Sequence, residues 1–247
     1  MGLSVKQKKF IKAIQSKDYR YLYYGGGVGG GKSIVVIGFL DELCQNYPGV
    51  RVAIIRKTLS TLRRNTIPSI NKILELNGDP MRCKLSKTEW TYNYKNGSQM
   101  LLVDADISVD PILNKLRGLE LTLAVMEEAN EMDESVFSAL ITRVGRWKNQ
   151  EFGIPNLVLF TSNPDQNWVK TRFYDLYDHN LLETLPKQEE ETYRLERAPY
   201  YFLKALPTDN PYNSKEYLES LGDLPPPEYE RYVKGNWDYA TIENQLI

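Results

Sequence analysis

Gly25-Gly26-Gly27-Val28-Gly29-Gly30-Gly31-Lys32-Ser33 is the stretch from which the fold of this chain can be read. From Gly26, four residues lead to Gly31, Lys32 and a hydroxyl, the spacing of a phosphate loop. Glycine reaches positive φ without steric cost and leaves its amide bare, so such a loop can wrap an anion at the start of a helix. Gly26, Gly27, Val28, Gly29, Gly30 and Gly31 form the expected cradle. Lys32 is placed to reach the β- and γ-phosphates, and Ser33 to ligate magnesium (Mg2+). Tyr21-Leu22-Tyr23-Tyr24 before the loop is β-prone, and Ile34 to Cys44 after it is apolar and of helix length. Strand, loop and helix in that order give the motif its meaning, and a nucleoside triphosphate is the expected ligand.

Composition narrows the classes that remain. A chain of 247 residues, 42% hydrophobic and 26% charged, has room for one core, or one core with a small appended subdomain. No apolar run reaches membrane-spanning length, and the start of the chain, with Lys6, Lys8, Lys9 and Lys12, lacks the apolar centre of a secretory signal. A cytosolic protein with no membrane partner is expected. Net charge is −1, which excludes a uniformly basic nucleic-acid binder but leaves local basic clusters, such as Arg56-Lys57 with Arg63-Arg64 and Lys115 with Arg117. Cys44 and Cys83 are too few for a zinc site and read as packing thiols. His179 is the only histidine, so no histidine triad can be assembled.

Periodicity supplies the remaining elements. A short amphipathic helix is predicted over residues 6–14, a strand over 50–55, and a helix over 59–77 that breaks near Pro68. Lys95-Asn96-Gly97-Ser98 between two β-prone runs predicts a hairpin. Asp104, Asp106 and Asp110 follow, and they read as turn and capping acids rather than as a two-metal nuclease. Leu121 to Met126 is a continuous apolar run ending in Glu127-Glu128, the pattern of a buried parallel strand that stops at an acidic site. Glu127 is assigned to the magnesium shell and Glu128 to the general base that polarises the attacking water. On an extended chain the two would face opposite ways. A second such strand, Leu157 to Thr161, ends in Ser162-Asn163-Pro164, where Asn163 is placed to sense the γ-phosphate. From Glu183 onward the alternation of strand and helix fades into acidic and aromatic segments, so residues 1–180 are expected to form the core and 181–247 a lid or linker subdomain.

In this order the motifs resemble the ATPase domain of the large terminase subunit, the genome-packaging motor of tailed bacteriophages. The resemblance is carried by Gln7, Tyr23-Tyr24 with the glycine loop, Arg56-Lys57, Leu116-Arg117-Gly118-Leu119 and Val125-Met126-Glu127-Glu128-Ala129-Asn130. It continues through Arg143-Val144-Gly145-Arg146, Thr161-Ser162-Asn163-Pro164, Trp168, Asp209-Asn210-Pro211 and Gly235-Asn236-Trp237. It implies an α/β P-loop NTPase of the ASCE, RecA-like type, with a mostly parallel sheet flanked by helices and a small C-terminal lid. It further implies ATP and Mg2+ as cofactors, hydrolysis that drives double-stranded DNA into a procapsid, and a homo-oligomeric ring. Portal protein and small terminase subunit would be partners, in the host cytoplasm and transiently at the procapsid portal. By the same resemblance Gln7 contacts adenine, Thr161 to Asn163 couple hydrolysis to movement, and Arg143, or else Arg146, is an arginine finger completing a neighbour's site.

Two features depart from the family pattern. Val28 stands where many relatives carry an arginine, and the sequence ends soon after Trp237, where full-length subunits continue into a nuclease domain. DNA cleavage is therefore not expected of these residues. The competing reading is a small-molecule P-loop kinase; a GTPase is disfavoured because no Asn-Lys-any-Asp motif occurs.

Overall fold

The computed structural model describes residues 2–177 and 186–239. His179 and the expected boundary at residues 180 and 181 lie outside the described residues. The chain forms two compact units, one of residues Ser33–Thr161 and one of Gly2–Lys32 with the described residues from Ser162 onward. It passes from one unit to the other between Lys32 and Ser33 and again between Thr161 and Ser162, within two of the motifs read from the sequence.

The first unit is built on apolar runs long enough to be buried on both faces. β2 (Arg51–Arg56) pairs in parallel with β5 (Gln99–Asp104) and β6 (Leu123–Glu127), and β6 pairs in parallel with β7 (Leu157–Ser162). Every residue of β6 and β7 is buried, as parallel strands require. β3 (Cys83–Ser86) and β4 (Thr91–Tyr94) extend this sheet antiparallel, in the order β3-β4-β5-β2-β6-β7. The predicted hairpin is present between β4 and β5, with Gly97 at φ +84° where its turn needs a residue without Cβ. β3 had no sequence signal of its own: four residues of mixed polarity acquire strand form by pairing with β4.

Helical residues 59–76 are continuous, and the expected break at Pro68 does not occur. The run changes register ahead of the proline in a π turn, Leu62–Thr66, closed by the Ile67 N–H on the Leu62 carbonyl. Pro68 then falls in the first turn of Ile67–Leu76, where a missing N–H is tolerated.

α2 (Lys32–Asn46) follows the glycine loop and is held inside the first unit by a buried ion pair. Asp41, 1% exposed, receives Arg82 through Nε at 3.0 Å and Nη2 at 2.6 Å, the Tyr94 hydroxyl at 2.9 Å and the Asn77 amide at 3.0 Å. The carboxylate raises the Arg82 pKa against the lowering effect of burial, and burial with the nearby charges pushes Cys83 up to about 11, so this thiol stays protonated. Both cysteines are free and buried.

In the second unit, α1 (Val5–Ser16) opens with a Ser4–Gln7 capping box. β1 (Tyr21–Gly26) pairs in parallel with β8 (Tyr200–Ala205), Tyr21 opposite Tyr200 and Gly26 opposite Ala205. The alternation of strand and helix thus does not fade after residue 180. β8 is an aromatic six-residue run whose neighbourhood of charged residues masked its β character, and β1 supplies the partner that makes it a strand. The core is aromatic: Tyr23 contacts Phe173, Phe202 and Trp237, and Phe10 stacks on Tyr24 at 4.9 Å.

Asp41→Ala leaves the Arg82 guanidinium buried beside no carboxylate. It is expected to cost about 3–5 kcal/mol of stability, read from the urea midpoint of the purified chain.

Candidate active site

The glycine loop lies wholly in the second unit and is held from several sides. Gly26, Gly29 and Gly31 have φ of +129°, +66° and +72°. A Cβ on Gly26 would stand 2.1 Å from the Ala205 carbonyl oxygen, and one on Gly27 2.4 Å from that of Tyr232, so these positions exclude any side chain. The N–H groups of Gly27 and Val28 donate to the carbonyls of Ala205 at 2.9 Å and Tyr232 at 2.8 Å. Two of the expected phosphate donors are thereby engaged by the protein's own backbone. Lys32 is buried, and its Nζ donates to the carbonyls of Gly26 at 3.3 Å and Gly27 at 2.6 Å and to Asn163 Oδ1 at 3.0 Å. The structure therefore joins Lys32 to Asn163, which the sequence separates by 131 positions.

Gln7 is also in contact with the loop. Its Nε2 donates to the Gly31 carbonyl at 3.0 Å, while its Oε1 accepts the Ser4 N–H at 2.9 Å. A primary amide carries two donor hydrogens and two acceptor lone pairs, so one of each remains for a base edge. The Tyr23 hydroxyl donates to Ser162 Oγ, which gives its own hydrogen to the Asn163 carbonyl at 2.6 Å, and the chain of bonds braces the Ser162-Asn163 turn.

The acidic strand end lies in the first unit. Glu127, 3% exposed, accepts the Thr66 hydroxyl on Oε2 at 2.5 Å, and the same oxygen faces Arg56 Nη1 at 3.5 Å. Arg56 Nη2 reaches Glu131 at 3.3 Å. Glu127 sits opposite Thr161 in the β6–β7 register, so their side chains share a face. The Thr161 hydroxyl is buried and has no hydrogen-bond partner among the described residues. Glu128 departs from the alternation expected of an extended chain: its φ of 51° and ψ of 55° turn the backbone left-handed at the start of the 3-10 turn Ala129–Glu131. For a residue with a Cβ this conformation costs about 1–2 kcal/mol, and such strain concentrates at functional positions.

Arg143 Nη1 donates to the Arg117 carbonyl at 2.7 Å and its Nε to the Thr142 hydroxyl at 2.9 Å. Arg146 pairs with Glu120 at 3.3 Å, both about half exposed. Asp104 pairs with Lys115 at 2.6 Å, Asp106 accepts from Ser108, and Asp110 from Asn114 and Lys115. Asp106 and Asp110 thus accept nearby backbone N–H groups as turn acids while Asp104 forms an ion pair, and among the described residues no cluster of three or more His, Cys, Asp or Glu side chains could hold a metal ion.

Four contributors escaped sequence reasoning. Thr66 and Glu131 bear on the acidic pair, and Asn210 and Asn213 bear on the glycine loop, each donating to the Gly29 carbonyl, at 2.7 and 3.1 Å. Of the four, only Asn210 lies in a string that carries the family resemblance, Asp209-Asn210-Pro211, which by itself announces no role.

A strand running through a glycine loop into a helix, with acidic residues at the tip of a buried parallel strand, defines an α/β P-loop NTPase fold of the ASCE, RecA-like type. A family model described as the phage terminase large subunit matches residues 18–236, and the chain belongs to that family. Solved structures agree on the fold. The large terminase of a thermophilic bacteriophage in complex with ADP is similar at 20% identity and a TM-score of 0.71, covering 95% of this chain and 54% of that one. A mutant ATPase domain of the Thermus phage P74-26 large terminase matches at 16% identity and a TM-score of 0.59, covering 96% and 94%. The large terminase of bacteriophage HK97 matches at 11% identity and a TM-score of 0.60, covering 99% and 46%. The chain thus spans about half the length of the first of these relatives. No curated protein matches it.

Arg56→Leu is expected to cost about 3–5 kcal/mol, because Glu127 loses its buried counter-charge. The double variant Arg56→Leu with Glu127→Leu should recover most of that loss in the same urea titration.

Proposed function

We propose that this chain is the ATP-hydrolysing part of a large terminase subunit, whose turnover drives double-stranded DNA into a procapsid. The observation that carries the proposal is the family match across residues 18–236, which takes in the glycine loop, the acidic strand end and Asn163. Complexes of a related large terminase with ADP and with ATP-γ-S support the choice of nucleotide. The contacts of the glycine loop support it as well, because a buried ammonium bonded to loop carbonyls suits a polyphosphate.

On this reading the amides of Gly29 to Gly31 and of the first turn of α2 hold the triphosphate, with Lys32 exchanging loop carbonyls for phosphate oxygens. Gly26, Gly27 and Val28 shape the loop rather than donate to the ligand. Gln7 turns its remaining amide hydrogen and lone pair to the adenine edge. Ser33 and Glu127 would hold magnesium, which supplies charge neutralisation across the β- and γ-phosphates. Glu127, fixed by Arg56 and Thr66, has one oxygen engaged, so it acts through the other. Glu128 accepts the proton of the attacking water, and Asn163 reports the γ-phosphate through its bond to Lys32. Arg143 serves as the finger to a neighbouring copy in a ring, with Arg146 the second candidate. Double-stranded DNA, portal protein and small terminase subunit are the partners, in the host cytoplasm and at the procapsid portal. Residues 1–180 act as the motor core together with β8, which pairs with β1, and the rest of 181–247 acts as a lid or linker.

Lys32→Ala should abolish ATP binding. Glu128→Gln should retain binding while cutting hydrolysis about 10²- to 10⁴-fold, the range for a general base. ATPase assays with and without double-stranded DNA and portal check both, and full turnover by Glu128→Gln would remove the base assignment. Mixing Arg143→Ala with Lys32→Ala should restore turnover if the finger acts between subunits.

A further inference from the structure

We propose that Asn210 and Asn213 are positioning residues for nucleotide binding, acting through the carbonyl of Gly29. The inference rests on the nucleotide reading of the glycine loop given above and adds to it a clamp that no motif of the loop contains. Both side-chain amides converge on one oxygen: Asn210 Nδ2 lies 2.7 Å and Asn213 Nδ2 3.1 Å from Gly29 O. Their orientations are fixed from outside. Asn210 Oδ1 accepts the Tyr212 N–H at 3.2 Å, and Asn213 Oδ1 accepts from Asn210 Nδ2 at 3.2 Å, so each amide must turn its nitrogen toward the loop. Asn213 Nδ2 also donates to the Pro207 carbonyl at 2.8 Å, and Asp209 Oδ2 accepts the Leu206 N–H at 2.8 Å, which makes residues 206–213 a self-braced turn.

The consequence follows from peptide geometry. A planar trans peptide sets its C=O and N–H antiparallel. Holding the Gly29 carbonyl against Asn210 and Asn213 therefore directs the Gly30 N–H the opposite way, away from both side chains, where it is free of them to meet an anion. Gln7 does the same two residues later, since its bond to the Gly31 carbonyl directs the Lys32 amide away from Gln7. Glycine at 29, with φ of +66°, would otherwise sample many orientations of that peptide. The side-chain clamp thus sets in advance an amide that would have to be ordered when phosphate arrives, and preorganisation of this kind strengthens binding without touching the ligand.

Asn210→Asp tests the clamp with almost no change of shape, because it replaces the donor by an oxygen that repels Gly29 O. Titrating the purified chain with a fluorescent ATP analogue, and then with ADP in competition, is expected to show affinity reduced about 10-fold, the equivalent of one hydrogen bond. The thermal midpoint without nucleotide should stay within a few degrees of wild type. Asn213→Asp should act in the same direction. In steady state, KM for ATP should rise with kcat little changed, since the Gly30 amide meets phosphate equally in ground and transition states. Unchanged affinity in both variants would overturn the clamp, and so would a fall in thermal midpoint with kcat lost at unchanged KM, which is the mark of a merely structural turn. Failure of wild type itself to bind ATP would sink the nucleotide reading first, and the clamp with it.

Discussion

A loop made almost entirely of glycine cannot hold its own shape, and the second unit is organised around that fact. Ordering each residue costs about 1–2 kcal/mol of backbone entropy, and glycine the most. A single hydrogen bond offsets only about 0.5–1.5 kcal/mol, so one contact is never enough. The loop is accordingly held by many groups from distant positions: Lys32 on the carbonyls of Gly26 and Gly27, Ala205 and Tyr232 on the amides of Gly27 and Val28, Asn210 and Asn213 on Gly29, and Gln7 on Gly31. The carbonyls of Gly29 and Gly31 are pinned by these side chains, and pinning a carbonyl aims the amide on the far side of its peptide.

The first unit solves a different problem, the burial of charge. Glu127 is placed inside the sheet by the same apolar run that makes β6 a parallel strand, and an isolated carboxylate there would be expensive. Arg56 at the end of the neighbouring strand and Thr66 on the π turn give it a counter-charge and a donor. The π turn is part of the arrangement, since the register change ahead of Pro68 determines which residues of the helical run face the sheet. Asp41 and Arg82 repeat the solution on α2, where arginine bonds both carboxylate oxygens and tyrosine and asparagine take lone pairs that it leaves over. Buried pairs of this kind add little net stability against apolar packing, but removing one partner is costly, so they specify position more than they stabilise.

Local chemistry made much of this legible in advance. The glycine spacing, the apolar runs of β2, β6 and β7 and the Asn-Gly hairpin are signals carried by adjacent residues, and they appear where expected. The failures share one cause. β8 depends on β1 as its partner, β3 on β4, and the direction of Glu128 on a left-handed turn that no neighbouring residue announces.

What the residues determined by themselves was the order of strand, glycine loop, helix and acidic strand tip, because those are set by backbone freedom and hydrophobic period within a few positions. Only the tertiary structure decided who holds the loop and the acids: Asn163 on Lys32 across 131 positions, Asn210 on Gly29 across 181, and Thr66 on Glu127 across 61. The physical reason is that a hydrogen bond requires atoms within about 3 Å, and distance along a chain carries no information about which side chains folding will bring that close.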